Sequence, residues 1–273
     1  MGLHDPRTAG TPGHQGRKPL VDAETARKLI ALNNRFYAKH AMSFSATRNA
    51  PWAGWTHLAD TLNRFGWGEA GAGARSVLDL ACGNLRFERF LAGAFPELAL
   101  RIEAVDGCLA LADGTGVPSV SFRQLDILAV LLGDPRAAVF PERSYDLTAC
   151  FGFMHHVPGK NLRRRILDAL IDATAPGGFI ALSFWQFMND KRLSAKAEHT
   201  GIPASISAAE LDADDRFLGW QDDARPLRYC HHFGEPEIDE LVSHATPRAR
   251  ELARWSADGS SGTLNRYLLL QRS

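Results

Sequence analysis

The sequence predicts an α/β protein whose core is a doubly wound, mostly parallel sheet. Three observations carry that expectation. The run Ser76-Val-Leu-Asp-Leu-Ala-Cys-Gly-Asn-Leu-Arg-Phe87 reads as a buried strand, a tight turn and the start of an amphipathic helix. Strand and helix patterns then alternate as far as Trp185, and parallel strands need such crossovers. Two further strand patterns, joined by the turn-rich Ala257-Asp-Gly-Ser-Ser-Gly262, close the chain as a hairpin.

The elements follow in order. Residues 1–20 are rich in Gly, Pro, His and Arg, have little to bury and are expected to form a disordered tail. Asp22 to Tyr37 predicts a helix with Leu29, Leu32 and Phe36 on one face. A linker, Ser43 to Pro51, leads to a second amphipathic helix over Trp52 to Phe65 and a Gly-rich loop over Gly66 to Gly73. Strands are expected near Ser76 to Ala81, Leu100 to Val105, Ser119 to Leu125, Tyr145 to Phe151 and Gly178 to Trp185. Helices are expected near Arg86 to Ala94 and Asn161 to Thr174, the second stopped by Pro176-Gly177-Gly178. Leu193 to Arg228 breaks the rhythm, with an acidic middle and one apolar knot, Phe217-Leu-Gly-Trp220, and reads as an inserted lid or substrate element. A helix over Glu235 to Ser243 and strands near Arg250 to Ser256 and Leu264 to Gln271 complete the chain. The organisation is one domain over 21–273: a helical region (21–74), a core (75–190), the insert (191–233) and a closing helix and hairpin (234–273).

A chain of 273 residues with 45% hydrophobic content suits one α/β domain with additions. Its formal net charge of zero removes the generic electrostatic case for nucleic acid or membrane surfaces. Cys82, Cys108, Cys150 and Cys230 are too widely spaced for a zinc or redox pair and read as reduced thiols. No apolar run has the length of a signal or a membrane span, so no membrane partner is expected and a cytoplasmic location is.

The chemistry is expected at the carboxyl edge of the sheet. The turn after the first strand must bring backbone close to a ligand, and Gly83 suits that role. Asp106 ends the second strand, where an acid accepts two hydrogen bonds from a ribose in other doubly wound nucleotide binders. Each such acid taken alone also fits an ordinary turn. His155 and His156 follow the fourth strand; His155 reads equally as a base or as a loop-shaping residue, and His156 as structural. No metal is expected, because adjacent histidines on a strand or loop point to opposite sides.

Together, Asp79 to Gly83, Val105-Asp106 and the fourth-strand run Tyr145 to Pro158 resemble the class I S-adenosylmethionine-dependent methyltransferases. That resemblance implies a Rossmann-like seven-stranded sheet and S-adenosylmethionine as cofactor. The family carries an acid followed by three alternating glycines; here the acid is Asp79, but Ala81 and Leu85 flank Gly83. Leu85 must turn into the helix–sheet packing to leave the ligand's path open. The resemblance further implies Asp126 near the adenine amino group with Leu125 and Ile127 beside the ring, and Phe151 near the cationic sulfur, an attraction of about 0.5–2 kcal/mol.

The flanks carry a narrower resemblance. Phe36-Tyr37, Ser43-Phe-Ser-Ala-Thr-Arg48, Ala50-Pro-Trp52, Ser183-Phe-Trp-Gln186 and Arg228 to Leu241 are similar to segments of the tRNA wobble-uridine carboxymethyl methyltransferases. This implies a carboxylate acceptor on tRNA, with an activating partner protein; a small carboxylate or hydroxyl acceptor is the alternative, with His155 as base. A carboxylate is ionised at neutral pH and needs no general base. Positioning is then the task, and the Arg48 and Arg228 guanidiniums suit a carboxylate. Arg48 reads alternatively as a contact to the cofactor's carboxylate or a surface ion pair; Arg228 is closer to even, and Tyr229 and His231, which alternate with it, read as lid packing. Lys160 and Arg163 to Arg165 are the candidate phosphate contacts; they read equally as a solvated helix face. A catalytically silent subunit of the same fold remains the rival from outside enzymology.

Overall fold

The computed structural model describes residues 21–69, 73–112, 117, 119–134, 136–220 and 223–273, so the expected tail lies outside the described residues. Two helices, α1 (Ala23–Ala46) and α2 (Ala53–Arg64), lead into β1 (Arg75–Leu80), α3 (Arg86–Ala94), β2 (Leu100–Asp106), α4 (Leu109–Ala112), β3 (Val120–Gln124), α5 (Ile127–Gly133), β4 (Tyr145–Cys150), α6 (Lys160–Ala173) and β5 (Thr174–Trp185). An insert follows, with α7 (Lys191–His199), β6 (Asp215–Trp220) and β7 (Asp223–His231). The chain closes with α8 (Glu235–Ala245), β8 (Ala249–Ala257) and β9 (Asn265–Arg272).

Seven strands form one sheet in the order β3-β2-β1-β4-β5-β9-β8. The first five run parallel, and β9 is antiparallel to both neighbours, as the closing hairpin predicted. Strand order reverses between β1 and β4, the point where open α/β sheets leave a crevice for ligands.

Alternation along the strands separates two cores. Leu78, Leu80, Val105, Ile180 and Leu182 pack with α5, α6 and α8 on one face. Val77, Ile102, Leu147, Ala149 and Ala181 pack with α2, α3, Trp255 and Tyr267 on the other. Each large apolar side chain buried this way stabilises the fold by about 1.5–3 kcal/mol.

Several expectations are corrected. Helix α1 is capped by Asp22, which accepts from the Thr25 N–H at 2.8 Å, but runs on to Ala46, because no helix breaker intervenes before Thr47 and Phe44 packs its ring on Tyr37 and Trp220. Strand β5 begins at Thr174, which pairs with Tyr145; Pro176 to Gly178 form an irregularity inside the pairing and do not precede it. Helices α4 and α5 were not foreseen, and Asp126 is the N-cap of α5.

The insert builds a separate two-stranded sheet from β6 and β7. Phe217 and Tyr229 pack with Val21, Ala26 and Leu29, while Leu218 and Cys230 pack with Phe187 and Ala197. A buried ionic chain ties its base to the core. Arg163 of α6, fully buried, pairs with Asp212 and Glu237 at 2.8 Å each. His231 joins Glu237 to Asp215 at 2.7 Å on each ring nitrogen, and the Tyr229 hydroxyl donates to Asp215 at 2.7 Å.

Candidate active site

A cavity of about 1090 Å³ opens at the carboxyl ends of β1, β2 and β4 and extends under α1 and the insert. Its first half surrounds the turn after β1. Ala81, Gly83 and Leu85 all hold positive φ, at 64°, 58° and 58°, so all three alternating positions are left-handed although only one is glycine. The Leu85 side chain turns away from the cavity and packs with Cys82, Ala104, Val117, Val120 and Phe122. A Cβ at Gly83 would meet nothing within 4 Å, so the loop presents bare backbone to open space. The Gly83 N–H donates to Asp106 Oδ2 at 3.0 Å.

Asp106 also accepts from the Cys108 N–H at 2.7 Å, so it braces two loops while its carboxylate lines the cavity. Burial raises its pKa against those two bonds. Asp126 lines the cavity too, yet both its oxygens are engaged, by the Ala129 N–H at 3.0 Å and by Asn34 Nδ2 at 2.8 Å. Leu125 and Ile127 lie on either side of it, on the cavity wall. Asp79 sits at the base, 2% exposed, with no donor for Oδ1 among the described residues. Its neighbour Glu88, on α3, is fully buried and was not foreseen; its only sequence signal is an acid beside Phe87 and Leu91 on an apolar helix face. An orphan carboxyl oxygen, a bare backbone cradle and a strand-end acid suit a nucleoside ligand with a cationic side chain, so these residues fit S-adenosylmethionine.

The segment joining α1 to α2 is strapped across this half. Asn84 Nδ2 donates to the Arg48 carbonyl at 3.1 Å and Arg86 Nη1 to the Ala50 carbonyl at 2.9 Å. Trp52 then lies over the turn after β4, where Gly152 has φ 67° and an added Cβ would come 2.9 Å from the indole. Phe151 packs against Phe87, Trp55 and Tyr267 and reaches the cavity.

The second half is walled by Tyr37, Phe44, Trp185 and Trp220 and holds Arg48, Arg228 and His155. Arg48 lies 3.4 Å over the Phe44 ring centroid and 5.5 Å from that of Trp220. Arg228 lies between Phe36, Trp185 and Trp220, at 5.5 to 5.6 Å, and its Nε has no acceptor among the described residues. Among the described residues neither guanidinium has a carboxylate within ion-pair distance. Burial lowers the Arg48 pKa to about 10, with Arg228 and Arg86 adding to the effect, and leaves it charged at neutral pH. Tyr229 and His231 face the other side of β7, in the ionic chain.

His155 and His156 stand on a single 3-10 turn, Met154–His156, with ring centroids 4.0 Å apart. They therefore do not point to opposite sides, which corrects the geometric ground for expecting no metal. With Cys230 they lie close enough to share an ion. His156 is already engaged: Nε2 with the Tyr37 hydroxyl at 2.7 Å, Nδ1 with the Tyr229 carbonyl at 2.9 Å. Burial pushes its pKa down to about 3 and that of the Cys230 thiol up to about 12. Among the described residues the buried His155 Nδ1 has no partner, and the ring lies 4.8 Å from that of Trp185, tilted by 56°. Burial, then His156, Arg228 and Arg48, hold it well below the usual imidazole range. It is a neutral, weakly basic ring.

The candidate phosphate contacts have other partners in three of four cases. Arg163 is buried in the ionic chain, Lys160 pairs with Glu240 at 2.8 Å, and Arg165 donates to the Asp134 carbonyl. Among the described residues no helix is long and apolar enough to cross a membrane.

No protein-family model and no curated protein matches the sequence. Solved structures do match the fold. The Burkholderia thailandensis 1,6-didemethyltoxoflavin-N1-methyltransferase, solved with 1,6-didemethyltoxoflavin and S-adenosylhomocysteine, is 16% identical with a TM-score of 0.58, over 97% of this chain and 98% of that one. A Methanosarcina mazei S-adenosylmethionine-dependent methyltransferase is 16% identical with a TM-score of 0.54, over 73% of this chain and 92% of that one. One from Mesorhizobium loti is 14% identical with a TM-score of 0.50, over 77% and 96%. The seven-stranded sheet with its antiparallel β9, and its likeness to these structures, give this chain the class I methyltransferase fold.

Proposed function

We propose that this protein transfers the methyl group of S-adenosylmethionine to a small, negatively charged acceptor. The observation that carries the reading is a pair of guanidiniums, Arg48 and Arg228, that have no carboxylate partner among the described residues and stand in an aromatic chamber beside a neutral His155. Bound S-adenosylmethionine supplies a methyl group on a sulfonium, open to in-line displacement. Asp79, Ala81, Gly83, Asp106, Leu125, Asp126, Ile127 and Phe151 line its half of the cavity. Arg48 and Arg228 orient the acceptor anion, and the aromatic walls exclude water. Orientation of this kind contributes on the order of 7–11 kcal/mol in well-aligned cases. His155 removes no proton, because a carboxylate arrives ionised.

The Burkholderia enzyme, which its name places on a small heterocycle, supports an acceptor of that size. A second reading, esterification of a carboxymethyl group on tRNA, draws support from Arg48, Trp52 and Arg228, which belong to the segments similar to that subgroup and line the cavity. The paired or buried state of Lys160, Arg163 and Arg165 weighs against it. The test is transfer of labelled methyl from S-adenosylmethionine to a panel of small aromatic and heterocyclic acids and to total tRNA. An alkali-labile label on a small acid is the expected product. Label confined to tRNA favours the second reading, and an alkali-stable small product points to a base-assisted hydroxyl or amine acceptor. Failure to bind the cofactor leaves a silent subunit.

A further inference from the structure

Asp79 ends β1 at the cavity base, and Glu88 stands behind the left-handed turn on α3 with its carboxyl against that of Asp79. Asp79 is 2% exposed and Glu88 fully buried. Among the described residues no donor from another residue reaches Asp79 Oδ1 or either Glu88 oxygen; the Glu88 carboxyl is met only by its own backbone N–H. Two buried carboxylates in contact repel, and an uncompensated buried charge is costly, so a shared proton is the low-energy state of the pair. The surroundings do not relieve it. Asp106 on β2 adds a third carboxylate. Cys82 in the turn and Cys150 on β4 face the pair as neutral thiols, each held protonated by burial and by Asp79. Arg89, an exposed side chain that donates to the Asn84 carbonyl, acts on Glu88.

We propose that Asp79 and Glu88 share one proton while the cavity is empty and release it to solvent when the positively charged methyl donor binds, coupling donor binding to proton loss. The inference rests on the cofactor reading above. S-adenosylmethionine carries a sulfonium, an ammonium and a carboxylate, a net positive charge that compensates the ionised pair. The demethylated product keeps the ammonium and loses the sulfonium charge, so it draws out less of the proton. The pair thereby favours donor over product increasingly as pH rises.

The test is calorimetric titration of the wild-type chain with S-adenosylmethionine and with S-adenosylhomocysteine near pH 6.5, in phosphate and in Tris, whose ionisation enthalpies differ. The expected result is a buffer-dependent enthalpy that reports a large fraction of one proton released for the donor and less for the product. Donor affinity should tighten by up to about tenfold per pH unit while the empty pair holds its proton and level off once the empty pair is itself ionised. Glu88→Gln, whose amide can donate to Asp79, should abolish the buffer dependence. Donor binding with equal enthalpies in both buffers overturns the proposal and leaves the cofactor reading standing. Absence of donor binding overturns both. The wild-type titration decides the matter even if the variant does not fold.

Discussion

Replacing Leu85 with glycine sets two opposed effects against each other. Leu85 holds φ 58°, a left-handed conformation that costs a side-chain-bearing residue about 1–2 kcal/mol, and glycine removes that cost. The same change empties a site where the leucine is 4% exposed, and deleting a buried leucine side chain costs about 2–5 kcal/mol. The freer unfolded chain adds about 0.4–1 kcal/mol to the loss. Taking middle values, the variant should be destabilised by about 3 kcal/mol, which lowers Tm by about 6–12 °C in a chain of this size. Ala81→Gly relieves the same backbone conformation with only a methyl group to lose, so it should be neutral or stabilising by up to about 1 kcal/mol. Denaturant melts of both variants, with calorimetric titration of S-adenosylmethionine, make the comparison. Because Leu85 does not line the cavity, its loss should leave affinity within about threefold. A tenfold gain in affinity, or a rise in Tm, would refute this placement of the side chain.

Further outcomes follow from the site. Asp106→Ala should weaken cofactor binding more than Asp126→Ala, since both Asp126 oxygens are already engaged by Ala129 and Asn34; titration of both variants ranks them, and equal losses would count against Asp106 as the ribose contact. At saturating donor, single-turnover rates should be flat from about pH 6 to 8, since His155 stays neutral throughout, and His155→Asn should cost less than about tenfold. Arg48→Lys keeps the charge but loses the planar fork, and misplacement of the acceptor by about 1 Å should cost on the order of a hundredfold in rate. Glu88 binds its proton more tightly in the folded chain, with a pKa near 7 against the ordinary 4.5, so stability without ligand should fall as pH rises between those values and Glu88→Gln should flatten that slope in thermal melts. Arg163→Met strands Asp212 and Glu237 without their cation and should cost about 3–5 kcal/mol in urea melts; a loss below about 1 kcal/mol would show that the ionic chain does not anchor the insert.

The strands and the closing hairpin were legible because apolar runs of strand length, bounded by acids and glycines, have few other uses. The positions of Asp79, Asp106 and Phe151 on the cavity followed from the same register. What the sequence concealed depends on direction in space. Arg163, Arg164 and Arg165 are consecutive in sequence, but successive helix residues turn by about 100°, so Arg163 enters the core while Arg165, two positions on, bonds to the Asp134 loop. His155 and His156 were read as strand-like neighbours, whereas a 3-10 turn brings their rings together. Asp126 was read for its charge, but at the start of α5 it is also the group that satisfies a helix N–H. Glu88 lies nine positions from Asp79, and only the fold around the turn brings the two carboxyls into contact.

The tryptophans turn the cavity into its own optical probe. Four of the six in the chain, Trp52, Trp55, Trp185 and Trp220, line it, while Trp67 and Trp255 sit in the core on the α2 face of the sheet. Occupancy can therefore be followed as a change in intrinsic emission, without label and without knowing the acceptor in advance. The two halves also report separately, since Trp185 and Trp220 flank Arg228 while Trp52 lies over the turn after β4. Trp52→Phe would reduce the signal of one half and Trp220→Phe that of the other, with Trp55 and Trp185 still reporting, so the order in which donor and acceptor bind becomes readable in a stopped-flow trace.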